Sequence, residues 1–405
     1  MKNISDLRVG VIFHHIGPYH HARLNAAASQ FSVLGFEWSA RASYAWGSAQ
    51  NECLYRKKSL FESTDPKSLS VENLRSALLK AIKEYRPDVL VINGWNDFGS
   101  LISLAVASDE GLPTVVMSES SRHDSPRNLI KEFSKSRLLN LYSSALVGGE
   151  SHREYLEALE FSKEKIFKGY DVIDNTHFSK GTTRVRKDPT SFRRKLNLPN
   201  QFFLASARFV EKKNLFRLIQ AYSIYRSQTE TSPWHLVLLG DGELKSHLQT
   251  QISNLKLSEY IHLPGFQPYE ELPNYYGLAN CFIHASTTEQ WGLVVNEAMA
   301  SRLPVLVSDR CGCAPDLVHH GHNGYLFDPY NVQQLADLML KISSGSCNLD
   351  DFGKVSQSII SHCSPEAFAN GLRQAVDSAV YSSQSRANLF DRFLLRFIWY
   401  CPLSG

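Results

Sequence analysis

The chain has 405 residues, of which 43% are hydrophobic and 20% charged, a composition that excludes a disordered chain. This length exceeds what one hydrophobic core usually organises, so two domains are expected. The 43 Lys and Arg residues against 40 Asp and Glu give a net charge of +3. Such a balance excludes nucleic-acid binding by bulk charge and requires any anionic ligand to be held by a local site.

The N-terminal part alternates short apolar runs with amphipathic segments. RVGVIF (8–13) predicts a first strand, and the loop HHIGPYH after it leads into a predicted helix. Three further strands, each preceded by a helical pattern, are predicted at PDVLVING, LPTVVMS and ALVGG. Continuous apolar strands between amphipathic helices predict a parallel sheet that is covered on both faces.

The alternation lapses around KGYDVIDNTHF (168–178), and the polar, basic stretch 179–195 follows. We therefore predict a domain boundary near residue 180. A second series of strands lies beyond it, at FFLASARF, WHLVLLG, YIHLPGF, CFIHAS, LPVLVSD and GYLFD. The predicted fold class is α/β, with two doubly wound Rossmann-like domains facing across a cleft into which the carboxyl ends of the strands point.

Cysteine usage and hydropathy indicate the compartment. The seven cysteines are odd in number and form no CxxC pair, which favours a reducing environment. Cys311 and Cys313 are interpreted as loop thiols rather than metal ligands. The apolar N-terminal stretch is too short for a signal-peptide core, and no apolar run approaches the roughly 18 residues of a membrane span. A cytoplasmic location is expected.

The most informative segment is STTEQWGLVVNEAMASRLP (286–304). Seven residues separate Glu289 from Glu297, and a helix is predicted to begin near Leu293, directly after Gly292. A loop that delivers the free backbone N–H groups of a helix N-terminus suits a diphosphate, because those donors and the helix dipole attract anionic oxygens. The segment from Gly292 through Val294 is therefore a candidate diphosphate site.

The two glutamates have candidate roles beside that site. An ionised Glu297 suits two adjacent ribose hydroxyls, and Glu289 is placed to reach hydroxyls of a sugar beyond the phosphates. The alternative for the carboxylates alone is structural: Glu289 stabilises the helix N-terminus and Glu297 is a solvated helix residue.

The longer segment EQWGLVVNEAMASRLPVLVSDRCGCAPDLV resembles the signature of the retaining, nucleotide-sugar-dependent glycosyltransferases of family 4, or glycosyltransferase group 1, which have the two-domain GT-B fold. Arg208 and Lys213 in ASARFVEKKN match the Arg and Lys that such enzymes aim at the donor diphosphate, where fixed cations stabilise the leaving group. The alternative is a solvated basic surface shared with Lys212 and Arg217. The resemblance covers most of residues 145–335.

The same resemblance assigns three glycines to the predicted donor site. Gly240 in GDGEL and Gly265 in LPGF belong to segments that border the base pocket in the family. Gly312 in CGCAP stands where the family's Gly-rich loop lets the backbone approach the donor, with a plain turn as the alternative. Asp241 in GDGEL is not interpreted as part of a metal-binding DxD motif, and no metal or other cofactor is expected.

The N-terminal domain resembles the family less. Gly17 stands where members have a Gly-containing loop after the first strand, and the flanking His14, His15, His20 and His21 are interpreted as loop or surface histidines. Where many members place a His near the donor sugar, this chain offers either Glu119, bonding a sugar hydroxyl, or His123. Arg127, Lys131 and Lys135 form either a solvated helix face or a basic groove for an anionic or lipid-phosphate acceptor.

The aromatic, basic helix predicted at 385–405 either packs back on the first domain or contacts a membrane surface. The resemblance implies that residues 1–180 bind the acceptor and residues 181–384 the nucleotide sugar.

The implied function is retaining hexosyl transfer. The resemblance implies a nucleotide-diphosphate sugar, such as a UDP- or GDP-sugar, as donor and a saccharide, lipid-linked or small-molecule hydroxyl as acceptor. It implies Arg208, Lys213 and Glu289 as the catalytic residues. Such an enzyme serves cell-surface polysaccharide or glycolipid synthesis, in the cytoplasm or at the inner face of the membrane. Two alternatives are a nucleotide-sugar epimerase on the same fold and a binder of nucleotide sugars without turnover.

Overall fold

The computed structural model describes residues 6–40, 53–62, 69–95, 97–124, 127–230, 232–381 and 387–398. The chain divides into two compact units. The first unit comprises Met1–Val172 together with Pro365–Gly405, and the second comprises Ile173–Ser364. These divisions differ from the predicted boundaries at 180 and 384, because the segment after 172 already folds with the second unit and the helix from 365 returns to the first.

A single seven-stranded parallel sheet forms the centre of the first unit, in the order β3-β2-β1-β4-β5-β6-β7. In the middle of it, Val9 of the first strand pairs with Val33 on one side and Val89 on the other. The strands are β1 (Arg8–Phe13), β2 (Ser32–Ser39), β3 (Arg56–Phe61), β4 (Val89–Asn93), β5 (Thr114–Ser118), β6 (Ser144–Val147) and β7 (Ile166–Lys168).

Helices cover both faces of this sheet: α1 (Pro18–Ala27), α2 (Val71–Tyr85), α3 (Phe98–Asp109), α4 (Leu129–Leu139), α5 (Glu150–Ala158), α15 (Pro365–Tyr381) and α16 (Leu389–Ile398). Helix α2 shows how the sequence builds them. The Ser70 hydroxyl caps it by accepting from the Asn73 amide at 3.2 Å. Its buried residues Leu74, Leu78 and Ile82 recur every four positions, so one apolar stripe faces the sheet.

The second unit contains a six-stranded parallel sheet in the order β10-β9-β8-β11-β12-β13. The strand order reverses between β8 and β11, which is where open α/β sheets bind their ligands. The strands are β8 (Phe202–Ser206), β9 (His235–Leu239), β10 (Ile261–Gly265), β11 (Cys281–His284), β12 (Val305–Ser308) and β13 (Gly324–Phe327).

Nine helices of the described chain belong to the second unit: α6 (Asn175–Lys187), α7 (Pro189–Leu196), α8 (Leu215–Gln228), α9 (Lys245–Asn254), α10 (Leu272–Leu278), α11 (Leu293–Ala300), α12 (Ala314–Leu317), α13 (Val332–Ser343) and α14 (Leu349–Ile360). Short helical turns precede some of them, including Glu211–Lys213 before α8.

The last two helices pack on the first unit. Helix α15 lies against α1, β6 and β7, and a Cβ at Gly371 would stand 2.1 Å from the Lys168 carbonyl oxygen, so the two backbones meet there. Helix α16 lies on α3 and α4, with Leu395 buried in the core of the unit. Residues 385, 386 and 399–405 of the predicted terminal helix lie outside the described residues. Within the described ranges, no helix combines the length and apolar character needed to cross a bilayer.

Candidate functional site

Two loops of the second unit carry the predicted catalytic residues. Residues 207–214, after β8, contain Arg208 and Lys213, and residues 285–292, after β11, contain Glu289. The loops are tied together, since the Thr287 amide donates to the Lys212 carbonyl at 2.9 Å. Both loops leave the carboxyl ends of neighbouring strands at the reversal point of the sheet, which is where a ligand is expected.

Asn214 fixes this arrangement. Its backbone is left-handed, with φ of 56°, and its buried side-chain amide donates to the carbonyls of Ala285 at 3.0 Å and Pro329 at 2.8 Å. Asn is one of the few residues that tolerate this conformation. Because Asn214 follows Lys213 directly, these bonds hold the lysine beside the loop that carries Glu289.

Glu289 is the centre of a compact polar cluster. Its carboxylate accepts a hydrogen bond from Lys213 Nζ and lies 3.6 Å from Lys212 Nζ. Ser286 Oγ and His284 Nε2 approach Glu289 Oε2 to 3.3 and 3.4 Å. Since an ionised carboxylate only accepts hydrogen bonds, this contact assigns the proton of a neutral His284 to Nε2.

The electrostatics of the cluster keep Glu289 ionised. Burial raises the pKa of Glu289, but the hydrogen bond with His284 and the charges of Lys213 and Lys212 outweigh it and hold this pKa well below its usual range. Burial also lowers the pKa of His284 and outweighs the opposing effect of Glu289. Two ammonium groups therefore surround one carboxylate and a neutral imidazole, and the cluster keeps one positive charge in excess.

Helix α11 begins beside this cluster. Gly292 precedes its first residue, Leu293, with a left-handed φ of 106° that disfavours any side chain. The first N–H groups of a helix have no partner within it, so the backbone of Leu293 and Val294 presents donors and the positive end of the helix dipole. The predicted diphosphate-binding turn and the cation cluster thus adjoin.

Gly312 lies against the backbone of Glu289. Its amide donates to the Glu289 carbonyl at 2.9 Å, and Cys311 and Glu289 pair as an isolated bridge. The loop after β12 therefore supports the backbone of Glu289, and the Gly312 N–H is used within the protein. Burial raises the pKa of the Cys311 and Cys313 thiols, which keeps them protonated. Over the part of the chain that the structure describes, no three His, Cys, Asp or Glu side chains gather to hold a metal ion.

Glu297 lies inside α11 and is only 1% exposed. The Tyr276 hydroxyl donates to its Oε2 at 2.6 Å. Its burial excludes the alternative that Glu297 is a solvated helix residue. Glu297 is therefore a buried, hydrogen-bonded carboxylate on α11, the helix whose N-terminus faces the Glu289 cluster.

The two glycines predicted at the base pocket adjoin each other. The Gly240 amide donates to the Gly265 carbonyl at 2.9 Å, and both residues have positive φ, 127° and 85°. A Cβ on Gly240 would stand 1.8 Å from the Ala207 carbonyl oxygen, so the loop that carries Arg208 requires glycine there. The Arg208 side chain itself is exposed.

In the first unit, Gly17 caps helix α1 at the carboxyl end of β1. Its φ of −90° is extended backbone, which any residue adopts, and its amide donates to His20 Nδ1 at 3.1 Å. The conformation of this loop therefore does not itself demand a glycine.

Glu119 and His123 follow β5, and only Glu119 joins a buried cluster. Burial and the nearby Glu119 raise the pKa of Asp171 well above its usual range, against the charge of Arg23. A protonated Asp171 can donate the hydrogen bond that joins it to the Glu119 carboxylate. Arg23 Nη2 lies 3.9 Å from Asp171 Oδ1, while His123 is exposed.

One polar cluster of the first unit was not predicted. Glu37, fully buried on β2, accepts from the Ile16 amide at 2.9 Å and Ser59 Oγ at 2.6 Å, and lies 3.3 Å from His15 Nδ1. Burial raises the pKa of Glu37, but the hydrogen bonds with His15, Ser59, Lys57 and Ile16 outweigh it and lower it to about 2. The hydrogen bond with Glu37 raises the pKa of His15 against its burial.

Two residues that were not predicted, Glu37 and His284, have features in the sequence that could have indicated them. Glu37 interrupts the otherwise apolar run SVLGFEWS, and a buried acid must have partners. His284 ends β11 immediately before the predicted site loop. A titratable residue at the carboxyl end of a parallel strand is a candidate for the site.

Part of the chain is similar in sequence to known glycosyltransferases. Residues 187–359 match the family model of the glycosyl transferases group 1. The amylovoran biosynthesis glycosyltransferase AmsK of Erwinia amylovora is 32% identical over 177 residues, covering 41% of this chain and 42% of that protein. The alpha-monoglucosyldiacylglycerol synthase of Acholeplasma laidlawii is 27% identical over 272 residues, covering 62% and 65%. The chain thus spans less than two thirds of the length of either relative.

Solved structures share the fold over most of the chain. Sucrose-phosphate synthase from Thermosynechococcus elongatus has a TM-score of 0.72 at 17% identity and covers 93% of this chain and 100% of its own. Anabaena HepE in complex with UDP and glucose has a TM-score of 0.71 at 19% identity and covers 92% and 100%. The predicted class, an α/β chain of two Rossmann-like units with the GT-B fold, is confirmed. The part of the chain that matches the glycosyl transferases group 1 model, residues 187–359, lies within the second unit.

Proposed function

We propose that this protein transfers a hexose from a nucleoside diphosphate sugar to an acceptor hydroxyl, with retention at the anomeric carbon. The observation that carries the proposal is the cation-rich cluster of Lys212, Lys213 and Glu289 beside the N-terminus of α11. A surplus of positive charge next to free helix amides suits a diphosphate. The group 1 family match and the UDP complex of a structural neighbour support the same ligand class.

The donor would occupy the edge formed by the loops after β8 and β11. Arg208, Lys213 and the amides of Gly292, Leu293 and Val294 would stabilise the departing diphosphate, and Glu297 would hold the ribose hydroxyls. Lys213 would then divide its hydrogen bonds between the phosphate and Glu289, since an ammonium group has three donors. Glu289 would orient the sugar through its hydroxyls, and Gly240 and Gly265 would border the base, uracil or guanine.

Retention is proposed to proceed on one face of the sugar. The bond between the anomeric carbon and the diphosphate oxygen breaks while the acceptor oxygen bonds to the same face. The acceptor proton passes to the leaving phosphate, so no protein nucleophile takes part. No metal is assigned a role, because Arg208, Lys213 and the helix amides supply the positive potential that a cation would provide.

The acceptor is proposed to be a saccharide, lipid-linked or small-molecule hydroxyl of cell-surface polysaccharide or glycolipid synthesis. Relatives named for amylovoran and for glucosyldiacylglycerol synthesis support this range. We assign acceptor contacts to the loop at Gly17 and to Glu119 or His123. The reaction is proposed to occur in the cytoplasm at the inner face of the membrane.

A donor panel tests the assignment. The protein is incubated with UDP-, GDP- and ADP-sugars, with and without cell-envelope lipid extract, and nucleotide release is measured. Release that requires extract is expected for transfer. Equal release without extract would indicate hydrolysis, conversion of the donor sugar would indicate an epimerase, and binding without release a non-catalytic binder.

Variants tie the activity to the site. Arg208→Ala and Lys213→Ala should each slow turnover by roughly 100-fold, because each removes a donor to the developing negative charge. Glu297→Ala should instead weaken donor binding by roughly tenfold, through loss of charge-assisted hydrogen bonds. Lys354→Ala is the matched control, since Lys354 is an exposed, paired lysine of α14. Wild-type donor affinity and turnover in all three site variants would contradict the assignment.

A further inference from the structure

Large exposed apolar side chains concentrate on two helices of the first unit. Of eleven such side chains among the described residues, six belong to α4 and α16, and Leu129 and Leu389 are 89% and 86% exposed. The six are Leu129, Ile130 and Phe133 of α4 and Leu389, Phe390 and Phe393 of α16. Single exposed apolar residues are ordinary on a protein surface, but a cluster marks an interaction site.

The six residues belong to one surface, which we call the α4–α16 surface. Helix α16 packs on α4, where Arg137 Nε lies 2.6 Å from Asp391 Oδ1 and the Arg137 guanidinium 5.6 Å from the Phe390 ring. Leu129 and Phe133 precede Arg137 at four-residue steps along α4, on the same face.

The orientation of α16 explains why its apolar residues are exposed. Asp391 and Leu395 are buried against the first unit, and Leu389 and Phe393 lie about half a turn away from them. The helix therefore presents Leu389 and Phe393 to solvent while it remains anchored by its opposite face.

This surface also carries a local excess of positive charge. Residues 127–139 and 389–398 hold six cations and two carboxylates, a net charge of +4, whereas the whole chain carries +3. Asp391 is buried and paired with Arg137, and Glu132 is paired with Arg127 and Lys135. Asp109 of the adjoining helix α3 pairs with Arg396, so the surface keeps a net positive charge of about +3 when Asp109 is included. The six cations are Arg127, Lys131, Lys135, Arg137, Arg392 and Arg396.

We propose that the α4–α16 surface binds an anionic lipid bilayer, with its apolar side chains in the headgroup region and its cations at the lipid phosphates. Apolar residues bordered by Lys and Arg are the pattern of a membrane-surface helix, and the negative charge of an anionic leaflet complements the net positive charge of the surface. A second copy of this chain fits less well, because it would bring two positively charged surfaces together. The proposal rests on the membrane location in the proposed function and is independent of sugar transfer.

Vesicle flotation with the full chain tests the proposal. The probes are vesicles of phosphatidylcholine alone and of phosphatidylcholine mixed with anionic phosphatidylglycerol. Flotation is expected with the mixed vesicles and strongly reduced with neutral ones. At about 0.5 M salt, where the screening length falls to about 4 Å, the mixed-vesicle binding should weaken severalfold.

Variants locate the contact. Phe133→Ser with Phe393→Ser should reduce binding to mixed vesicles at least tenfold, and Arg392→Gln should reduce it roughly fivefold, the effect of one cation near a charged leaflet. Leu54→Ser and Leu255→Ser are matched controls, because both leucines are exposed elsewhere. They should bind as wild type does. All variants should retain the wild-type unfolding midpoint, since the replaced side chains are exposed.

Failure would take one of three forms. Absence of flotation with mixed vesicles, equal binding to neutral vesicles, or undiminished binding of the Phe133 and Phe393 variant would each overturn the proposal. A dimer in solution that this variant abolishes, without vesicle binding, would replace the bilayer by a second copy. Because flotation measures no nucleotide release, these outcomes are separate from failure of the proposed sugar transfer.

Discussion

Buried carboxylates set the chemistry of both units, and each is kept ionised or protonated by its own neighbours. Glu289 and Glu37 stay ionised because nitrogen and hydroxyl donors outweigh their burial. Asp171 has the opposite outcome, because its burial and the neighbouring Glu119 raise its pKa against the charge of Arg23. A buried carboxylate therefore stays ionised where donors and cations outweigh its burial, and takes up a proton where they do not.

The pairing of Glu37 with His15 gives a prediction about pH. Glu37→Gln should lower the pKa of His15, because the hydrogen bond that raises it is lost. The lowered pKa of Glu37 stabilises the folded chain above its ordinary value of about 4.3, and the raised pKa of His15 does so below its ordinary value of about 6.5. The wild type should exceed the variant in stability most between these two pH values. The measurements are NMR titration of the His15 ring and urea unfolding at several pH values.

Ser59→Ala is the control for this prediction. It removes one donor to Glu37 Oε1 and leaves the contact of Glu37 Oε2 with His15 in place. The pKa of His15 should change far less than in Glu37→Gln. Equal pKa values of His15 in the wild type and Glu37→Gln would show that the pairing does not exist in solution.

At the level of elements, glycine positions show which turns the fold depends on. Gly240→Ala should be strongly destabilising, because the new Cβ would meet the Ala207 carbonyl oxygen at 1.8 Å and the φ is 127°. Gly265→Ala is the matched control, with a positive φ of 85° but no atom within 4 Å of a new Cβ. It should cost about 1 kcal/mol of backbone strain, and Gly240→Ala at least twice as much. Urea unfolding measures both, and equal losses would contradict the predicted contact.

Apolar strands were predicted from the sequence more readily than the polar strand β3. Strands such as β1, β4 and β8 are buried on both faces, so each is a continuous apolar run. Strand β3, with the sequence RKKSLF, is an edge strand with three exposed cations, and its stability comes from pairing with β2 rather than from burial. The local hydropathy pattern therefore did not indicate strand β3.

Within the candidate site, the features carried by contiguous sequence were predicted, and the features that depend on separate elements were not. The loop with Glu289 and the helix after Gly292 were predicted from contiguous sequence. The contributions of His284, Asn214 and Tyr276 were not, because they depend on side chains from separate elements converging at one edge of the sheet. The supporting role of Gly312 depends in the same way on contact between the loops after β11 and β12.

At the scale of the whole molecule, the first unit is built from two separate parts of the chain, because the chain returns to this unit at residue 365. Helix α15 buries Phe368, Leu372 and Val376 there, and the Ser144 hydroxyl donates to the Ala375 carbonyl at 2.7 Å. Sequence pattern placed this helix with its neighbours in the chain, because an amphipathic helix shows that it has a buried face and not which sheet that face covers.

Removing residues 365–405, the segment that returns to the first unit, should therefore destabilise the first unit and leave the second unit folded. A chain ending at Ser364 loses the apolar surface that covers α1, β6 and β7. Amide exchange in residues 6–172 should therefore accelerate strongly. Residues 173–364 form one continuous segment, and their amides should stay protected. A chain ending at Tyr381 keeps α15 and loses only the packing of α16 on α3 and α4, so its exchange should increase mainly in those two helices. Mass spectrometry of hydrogen exchange measures both. Equal loss of protection in the two units after the longer truncation would mean that they do not fold as the separate bodies described.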